Sequence, residues 1–352
     1  MKNNIIDRNK LSNYNALLAI LVVLIHTENT SLFSFAPSAL SSFVKGFEWL
    51  ISKNFASIAV PSFFMISGIL FYRDFSLKLY PKKLKARFFS LIIPFLLWNL
   101  FRFVLFYIFG KTGITEKFFG APRLLFTWQN FFEGILFYKY NLGFWFMYQL
   151  ILFTILAPVI RCIVKNKWVG LFTIIALIAL YSSDILGNFL IVTLKRRFIL
   201  LDCTIYYMIG AYIGTHFFDI VNKKSTYIKF FAISGIIFGQ LLNIVFIKTS
   251  ILLFYILFLI VSAISAWYLY DYVKIKPIAK SVTSITFFIY AAHGTVLELL
   301  QVVGGYIFPD TPYFALITYI IYPIITLTVL VGTSLVIRKY APVFWKLING
   351  AR

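Results

Sequence analysis

All three histidines fall within apolar runs of the sequence, where an ionisable side chain is costly, and His216, at the end of its run, is most simply a polar end residue. His26 lies near the end of the first run, and His293 lies in the ninth. An imidazole titrates near a pH of about 6.5, so it can take a proton from a hydroxyl and return it near neutrality. His26 is therefore a candidate general base, and a hydrogen bond that ties two helices together explains it equally well. For His293 an interhelical hydrogen bond is the simpler account.

His293 and three further polar side chains are candidates to support His26 in a pocket. Asn15 precedes His26 by eleven residues, which is close to three helical turns and places both on one helix face. Tyr290 precedes His293 by three residues and shares its face. Ser67 lies in a segment of small residues that is typical of close helix contact. Asn15, Ser67 or Tyr290 could donate a hydrogen bond to a developing oxyanion.

Charged residues also fall within the apolar runs, and two of them, of opposite sign, bear on His293. Arg102 lies in the third run, and Glu298 follows His293 by five residues. On a regular helix five residues turn by about 140°, so Glu298 points away from that imidazole. A wetted carboxylate near the outer interface is the simplest account of Glu298.

The composition indicates what must position these residues. Of the 352 residues 61% are apolar and 13% are charged, whereas a soluble domain is about half apolar and a quarter charged. About 20 apolar residues span a bilayer as a helix, and ten such runs are visible. They are residues 11–28, 55–72, 88–109, 144–164, 168–194, 199–218, 227–247, 251–270, 283–302 and 314–337. The sequence therefore predicts an all-α fold, a polytopic integral membrane bundle of about ten transmembrane helices.

The charge pattern predicts the orientation of this bundle. Lys and Arg number 33 against 12 Asp and Glu, a net charge of +21. The cations lie in short segments between the runs, which disfavours a basic nucleic-acid face. Lys and Arg favour one set of alternate segments by about two to one, and cytoplasmic segments collect these residues. With ten spans, both termini lie in the cytoplasm, as tails 1–10 and 338–352 of a single domain, 1–352.

Five segments, in their order along the chain, resemble motifs of a known family. They are residues 13–26 (NYNALLAILVVLIH), 60–68 (VPSFFMISG), 87–95 (RFFSLIIPF), 144–146 (FWF) and 289–293 (IYAAH). This order resembles the membrane acyltransferase family 3, over roughly residues 10 to 340. Members of that family move an acyl group, commonly acetyl, from cytosolic acyl-coenzyme A to sugar hydroxyls of extracytoplasmic or lipid-linked glycans.

The resemblance implies roles for residues at matching positions. It makes His26 the base that deprotonates the acceptor hydroxyl. It makes Lys83, Lys85 and Arg87 candidates for binding the phosphates of the acyl donor, a role that their charge independently permits. Acyl-coenzyme A is then a co-substrate, and no metal or permanently bound cofactor is implied.

The sequence departs from the family pattern at two positions. The family usually has an arginine eleven residues before the histidine, where this chain has Asn15, and a second arginine three residues after Arg87, where it has Ser90. Both departures fall on residues expected to handle the acyl donor. They indicate a divergent branch, another donor or loss of the reaction.

The sequence thus predicts a membrane O-acyltransferase, in the first place an O-acetyltransferase that modifies a cell-surface polysaccharide or lipid-linked glycan. We expect a multi-pass protein of a bacterial plasma membrane, working beside proteins of glycan synthesis or export. Arg196 and Arg197, in a basic triplet on the outer side, are candidates for binding an acidic acceptor, although an interfacial anchor is an equal explanation. The alternative function is a transporter, flippase or export-complex subunit for a lipid-linked saccharide, without covalent chemistry.

Overall fold

The computed structural model describes residues 6–111, 126–183, 200–273 and 276–350. Every regular element within these ranges is helical, which confirms the all-α class there. The helices are α1 (Arg8–Thr27), α2 (Ala39–Glu48), α3 (Ala59–Tyr72), α4 (Tyr80–Arg87), α5 (Ile93–Lys111), α6 (Trp128–Leu136), α7 (Trp145–Ile155), α8 (Ala157–Lys165), α9 (Lys167–Ser182), α10 (Leu201–His216), α11 (Thr226–Thr249), α12 (Leu252–Leu269), α13 (Lys280–Thr283), α14 (Thr286–Ile307), α15 (Pro312–Tyr340) and α16 (Pro342–Ile348).

Seven helical segments of the described chain are long and apolar enough to cross a membrane. They are Arg8–Thr27, Ala39–Tyr72, Leu77–Gly110, Thr226–Thr249, Leu252–Leu269, Thr286–Ile307 and Pro312–Tyr340. The fourth predicted run is a helix pair broken at Leu156, and it makes an eighth span if the pair is counted as one. The helices within the fifth and sixth runs, α9 and α10, have 16 residues each. The total of ten spans therefore stays a prediction.

The contacts of the chain group into two compact units. The first unit comprises Met1–Ile25, Trp49–Tyr80 and Leu156–Ser284. The second unit comprises His26–Glu48, Pro81–Ile155 and Ile285–Arg352. The single domain predicted for residues 1–352 stays a prediction.

Glycines bring helices close together in the first unit. A Cβ atom on Gly68 of α3 would lie 2.5 Å from the carbonyl oxygen of Tyr207 on α10. A Cβ atom on Gly210 of α10 would overlap the carbonyl oxygen of Met65 on α3. Only glycine permits such backbone proximity, and it lets two apolar helices pack in lipid by van der Waals contact. The close-packing role predicted for the segment around Ser67 is confirmed at Gly68.

An ion-pair cluster fixes the start of α1 in the first unit. Lys10 and Asp271 form a salt bridge of 2.5 Å, and the Lys10 ammonium lies 4.0 Å from the ring centroid of Trp267. Lys224 pairs with the other oxygen of Asp271 at 3.0 Å. The buried carboxylate is thus balanced by two cations.

Polar side chains join helices and loops in the second unit. The indole nitrogen of Trp98 on α5 donates to the carbonyl oxygen of Ile348 on α16 at 3.0 Å. Asn99 donates to the carbonyl oxygen of Ile135 on α6 at 3.0 Å, and its own oxygen accepts from Asn141 at 3.1 Å. These bonds hold α6 and the loop that follows it against α5.

Candidate active site

The second unit brings His26 and His293 together. His26 lies in the last turn of α1 with an exposed side chain. His293 lies in α14 and is 4% exposed. The centroids of the two rings are 5.2 Å apart. One imidazole can therefore be reached from outside the protein, while its neighbour is enclosed by the protein.

The hydrogen bonds of His293 determine its tautomer. Its Nδ1 atom lies 3.0 Å from the carbonyl oxygen of Ile289 and 2.7 Å from that of Tyr290. A carbonyl oxygen only accepts, so Nδ1 carries the hydrogen, and Nε2 is the acceptor in the neutral ring. The fixed ring can thus receive a proton only at Nε2.

Aromatic side chains line the same part of α14. The Tyr290 hydroxyl donates to the carbonyl oxygen of Gly143 at 2.9 Å. The Tyr290 ring stacks on Phe144 with centroids 5.6 Å apart and meets Phe146 edge-on at 5.5 Å. The hydroxyl has one hydrogen and gives it to Gly143. In this arrangement the Tyr290 ring therefore lines the site, and its hydroxyl does not donate to a substrate.

Arg102 and Glu298 form an ion pair that the sequence did not reveal. The guanidinium binds both carboxylate oxygens, at 2.8 and 2.6 Å, and also donates to the Thr295 hydroxyl and the Tyr140 carbonyl oxygen. The side chain of Arg102 is 9% exposed and that of Glu298 is 34% exposed. The prediction that Glu298 is only a solvated carboxylate is therefore wrong, because its carboxylate joins α5 to the helix that carries His293. The sequence signal was only that each of the two lies within an apolar run, as other charged residues do.

The other predicted pocket residues lie in the first unit. Asn15 is half-buried, and its side-chain oxygen is buried without a hydrogen-bond partner. Ser67 is half-buried on α3. The structure therefore does not group these two residues with His26 in one unit, and their supporting roles stay predictions.

The predicted donor-binding residues lie on α4 in the second unit. Lys83 and Arg87 are half-buried, and Lys85 is exposed. Arg87 borders a shallow apolar groove together with Leu84 and other side chains of the same unit. The remaining lining residues are Phe88, Leu91, Ile92, Ile151, Thr154 and Ile155. The predicted acceptor residues Arg196 and Arg197 lie outside the described residues.

No group of three or more His, Cys, Asp or Glu side chains that could hold a metal ion occurs in the described ranges. The arrangement offers an accessible imidazole, a second imidazole with a fixed tautomer, and an ion pair whose carboxylate lies on the helix of the second imidazole. These groups can take up and return a proton without a metal.

Comparison with known proteins identifies the class. The sequence profile of an acyltransferase domain family, acyltransferase family 3, matches residues 15–338. The match covers most of the chain, so the chain belongs to this family, and the resemblance found in its motifs is confirmed. With its apolar helices, the protein is a multi-pass membrane acyltransferase. No curated protein and no solved structure matches the chain.

Proposed function

We propose that the protein transfers an acyl group, acetyl being the first candidate, from acyl-coenzyme A to a hydroxyl of an extracytoplasmic or lipid-linked glycan. The observation that carries this proposal is the exposed imidazole of His26 beside the buried imidazole of His293. An acceptor hydroxyl can approach the exposed ring, as general base catalysis requires.

The reaction needs one proton to move twice. His26 takes the proton of the acceptor hydroxyl while the hydroxyl oxygen attacks the thioester carbonyl carbon. The carbon–sulfur bond breaks, and the acyl group stays on the acceptor oxygen. The imidazolium of His26 then gives the proton to the departing thiolate. Direct transfer of this kind requires no nucleophile from the protein.

His293 limits the charge of the site. Two imidazolium rings with centroids 5.2 Å apart would repel each other, so we expect the pair to hold at most one positive charge at a time. A neutral His293 keeps His26 ready to accept a proton. It also adds no second cation while the proton is on His26.

The donor side of the proposal rests on α4. Lys83, Lys85 and Arg87 supply positive charge to the phosphates of the coenzyme, and the groove beside Arg87 is apolar. We propose that α4 faces the cytoplasm in a bundle of about ten spans with both termini inside, as the charge bias favours. A bacterial plasma membrane is the proposed location.

The function is tested in a cell that makes the surface glycan. Wild type, a deletion strain and His26→Ala are compared by the amount of ester-bound acyl group on the glycan, measured by mass spectrometry. We expect the ester to disappear in the deletion strain and to fall by about 100-fold or more in His26→Ala. His216→Gln is the matched control, because this third histidine lies in the first unit, bonded to the carbonyl oxygen of Val164.

Unchanged ester in both the deletion strain and His26→Ala would make the enzymatic proposal wrong. It would favour the transport alternative, which moves a lipid-linked saccharide without covalent change. Loss of ester in His216→Gln as large as in His26→Ala would remove the special role of His26.

A further inference from the structure

Glu48 is a fully buried carboxyl group that bonds to the chain shortly after His26. It ends α2 and is 0% exposed. Its Oε2 atom accepts the backbone N–H groups of Asn29 and Thr30, each at 3.1 Å. These are the third and fourth residues after His26, so Glu48 fixes the chain where it leaves α1.

Glu48 has no cationic partner in the described residues. Its hydrogen-bond donors are the backbone N–H groups of Asn29 and Thr30 and the Thr30 hydroxyl, and Glu28, a second carboxyl, is near enough to interact with it electrostatically. Glu298 of the same unit has a bidentate arginine instead. A buried carboxylate without a counter-charge is strongly disfavoured, and such a group usually binds a proton.

Within the part of the chain that the structure describes, no other charged group neutralises Glu48. Lys45, one turn earlier on α2, directs its ammonium over the ring of Phe35. On α15, Tyr319 packs edge-on against Phe47 at 6.0 Å, and Thr318 does not titrate. Glu28 carries the same sign of charge and disfavours ionisation of Glu48.

Two unsatisfied atoms in this cluster are both hydrogen-bond acceptors. The Oε1 atom of Glu48 and the Oδ1 atom of Asn29 are buried without a partner. The amide nitrogen of Asn29 donates to the Thr318 hydroxyl at 2.8 Å, which leaves Oδ1 as its atom without a partner. That hydroxyl gives its only hydrogen to the carbonyl oxygens of Phe314 and Ala315. No donor reaches either of these two oxygens, and a proton on Oε1 gives that atom a hydrogen of its own while removing the unpaired charge.

We propose that Glu48 is protonated at neutral pH and is a positioning residue for His26. The neutral carboxyl clamps Asn29 and Thr30 to the end of α2, and Thr318 clamps the Asn29 side chain to α15. Both bonds hold the chain directly after His26, which keeps the imidazole beside His293. The catalytic consequence rests on the proposed function, whereas the protonation state does not.

Infrared difference spectroscopy tests the proton without an activity assay. The full-length protein in lipid nanodiscs at pH 7 is compared with Glu48→Gln. We expect the difference spectrum to contain the carbonyl band of a protonated carboxylic acid. The control, Glu298→Gln, should remove carboxylate bands only, because Glu298 is paired with Arg102. Carboxylate bands without the acid band in the Glu48→Gln difference would overturn the proposal.

Activity of the same variants tests the positioning role. Glutamine keeps an acceptor for the two N–H groups and a donor where the proton would be, so Glu48→Gln should stay within about threefold of wild type. Glu48→Ala releases the turn and should lower kcat by about 10- to 100-fold, with a smaller change in KM. Glu48→Gln as inactive as Glu48→Ala would overturn the proposal. If wild type transfers no acyl group, the proposed function fails, but the infrared result still decides the protonation state.

Discussion

Two pairs of apolar helices in this protein are held together in different ways. In the first unit, α3 and α10 meet through Gly68 and Gly210, where backbone touches backbone. In the second unit, α5 and α14 meet through the ion pair of Arg102 and Glu298. The glycine contact depends only on shape and brings no charge into the apolar region. The ion pair brings two charges there, and its carboxylate lies on the helix that carries His293, which associates costly polar groups with the candidate chemistry.

The largest expected effect comes from adding one methyl group to the glycine contact. In Gly210→Ala the new Cβ overlaps the carbonyl oxygen of Met65, and backbone cannot move aside as a side chain can. We expect α3 and α10 to separate, at a cost of about 3 kcal/mol. The measurement is the fraction of monodisperse protein that survives heating in detergent.

Gly332→Ala is the matched control for this substitution. Gly332 lies on α15, and a Cβ atom there meets nothing within 4 Å. It should behave as wild type. Equal heat resistance of Gly210→Ala and Gly332→Ala would show that α3 and α10 are not in backbone contact.

Replacing Glu298 and replacing Arg102 should lower the stability of the protein by different amounts. Glu298→Gln leaves Arg102, which is 9% exposed, without its counter-charge, whereas Arg102→Gln leaves Glu298, which is 34% exposed and better solvated. We expect Glu298→Gln to cost about 2 kcal/mol, Arg102→Gln to cost less, and the double variant to recover part of the loss. Thermal unfolding midpoints of the four proteins in one detergent measure this cycle. Strictly additive losses would mean that the two side chains do not interact.

The fold class could be predicted from the sequence because hydropathy determines it. His26 and His293 could be singled out because they are ionisable residues within apolar runs. The sequence could not pair Arg102 with Glu298, because 196 residues separate them. The predicted runs place residues 28–55 in a connection on the outer side, between the first two spans. The structure instead has one continuous candidate span from Ala39 to Tyr72. Lys45, Glu48 and Lys53 conceal the apolar pattern of this segment, and only the packed structure shows that Glu48 is buried.

The smallest effect is expected at an ion pair outside the spans. Lys224 lies 3.0 Å from Asp271, but its side chain is 57% exposed, and Asp271 keeps Lys10 as a second partner. Lys224→Met should therefore lower the unfolding midpoint by no more than about 1 °C at pH 7.

The hydrogen bond to Asp271 raises the pKa of Lys224 above its ordinary value of 10.5. A raised lysine pKa stabilises the fold fully below the unfolded-state pKa, and this contribution is lost as the pH rises through the folded-state pKa. The difference between Lys224→Met and wild type should then vanish at pH values above 10.5 and shrink in high salt. A loss at pH 7 as large as that of Glu298→Gln would contradict the distinction between an exposed pair and one within the helices.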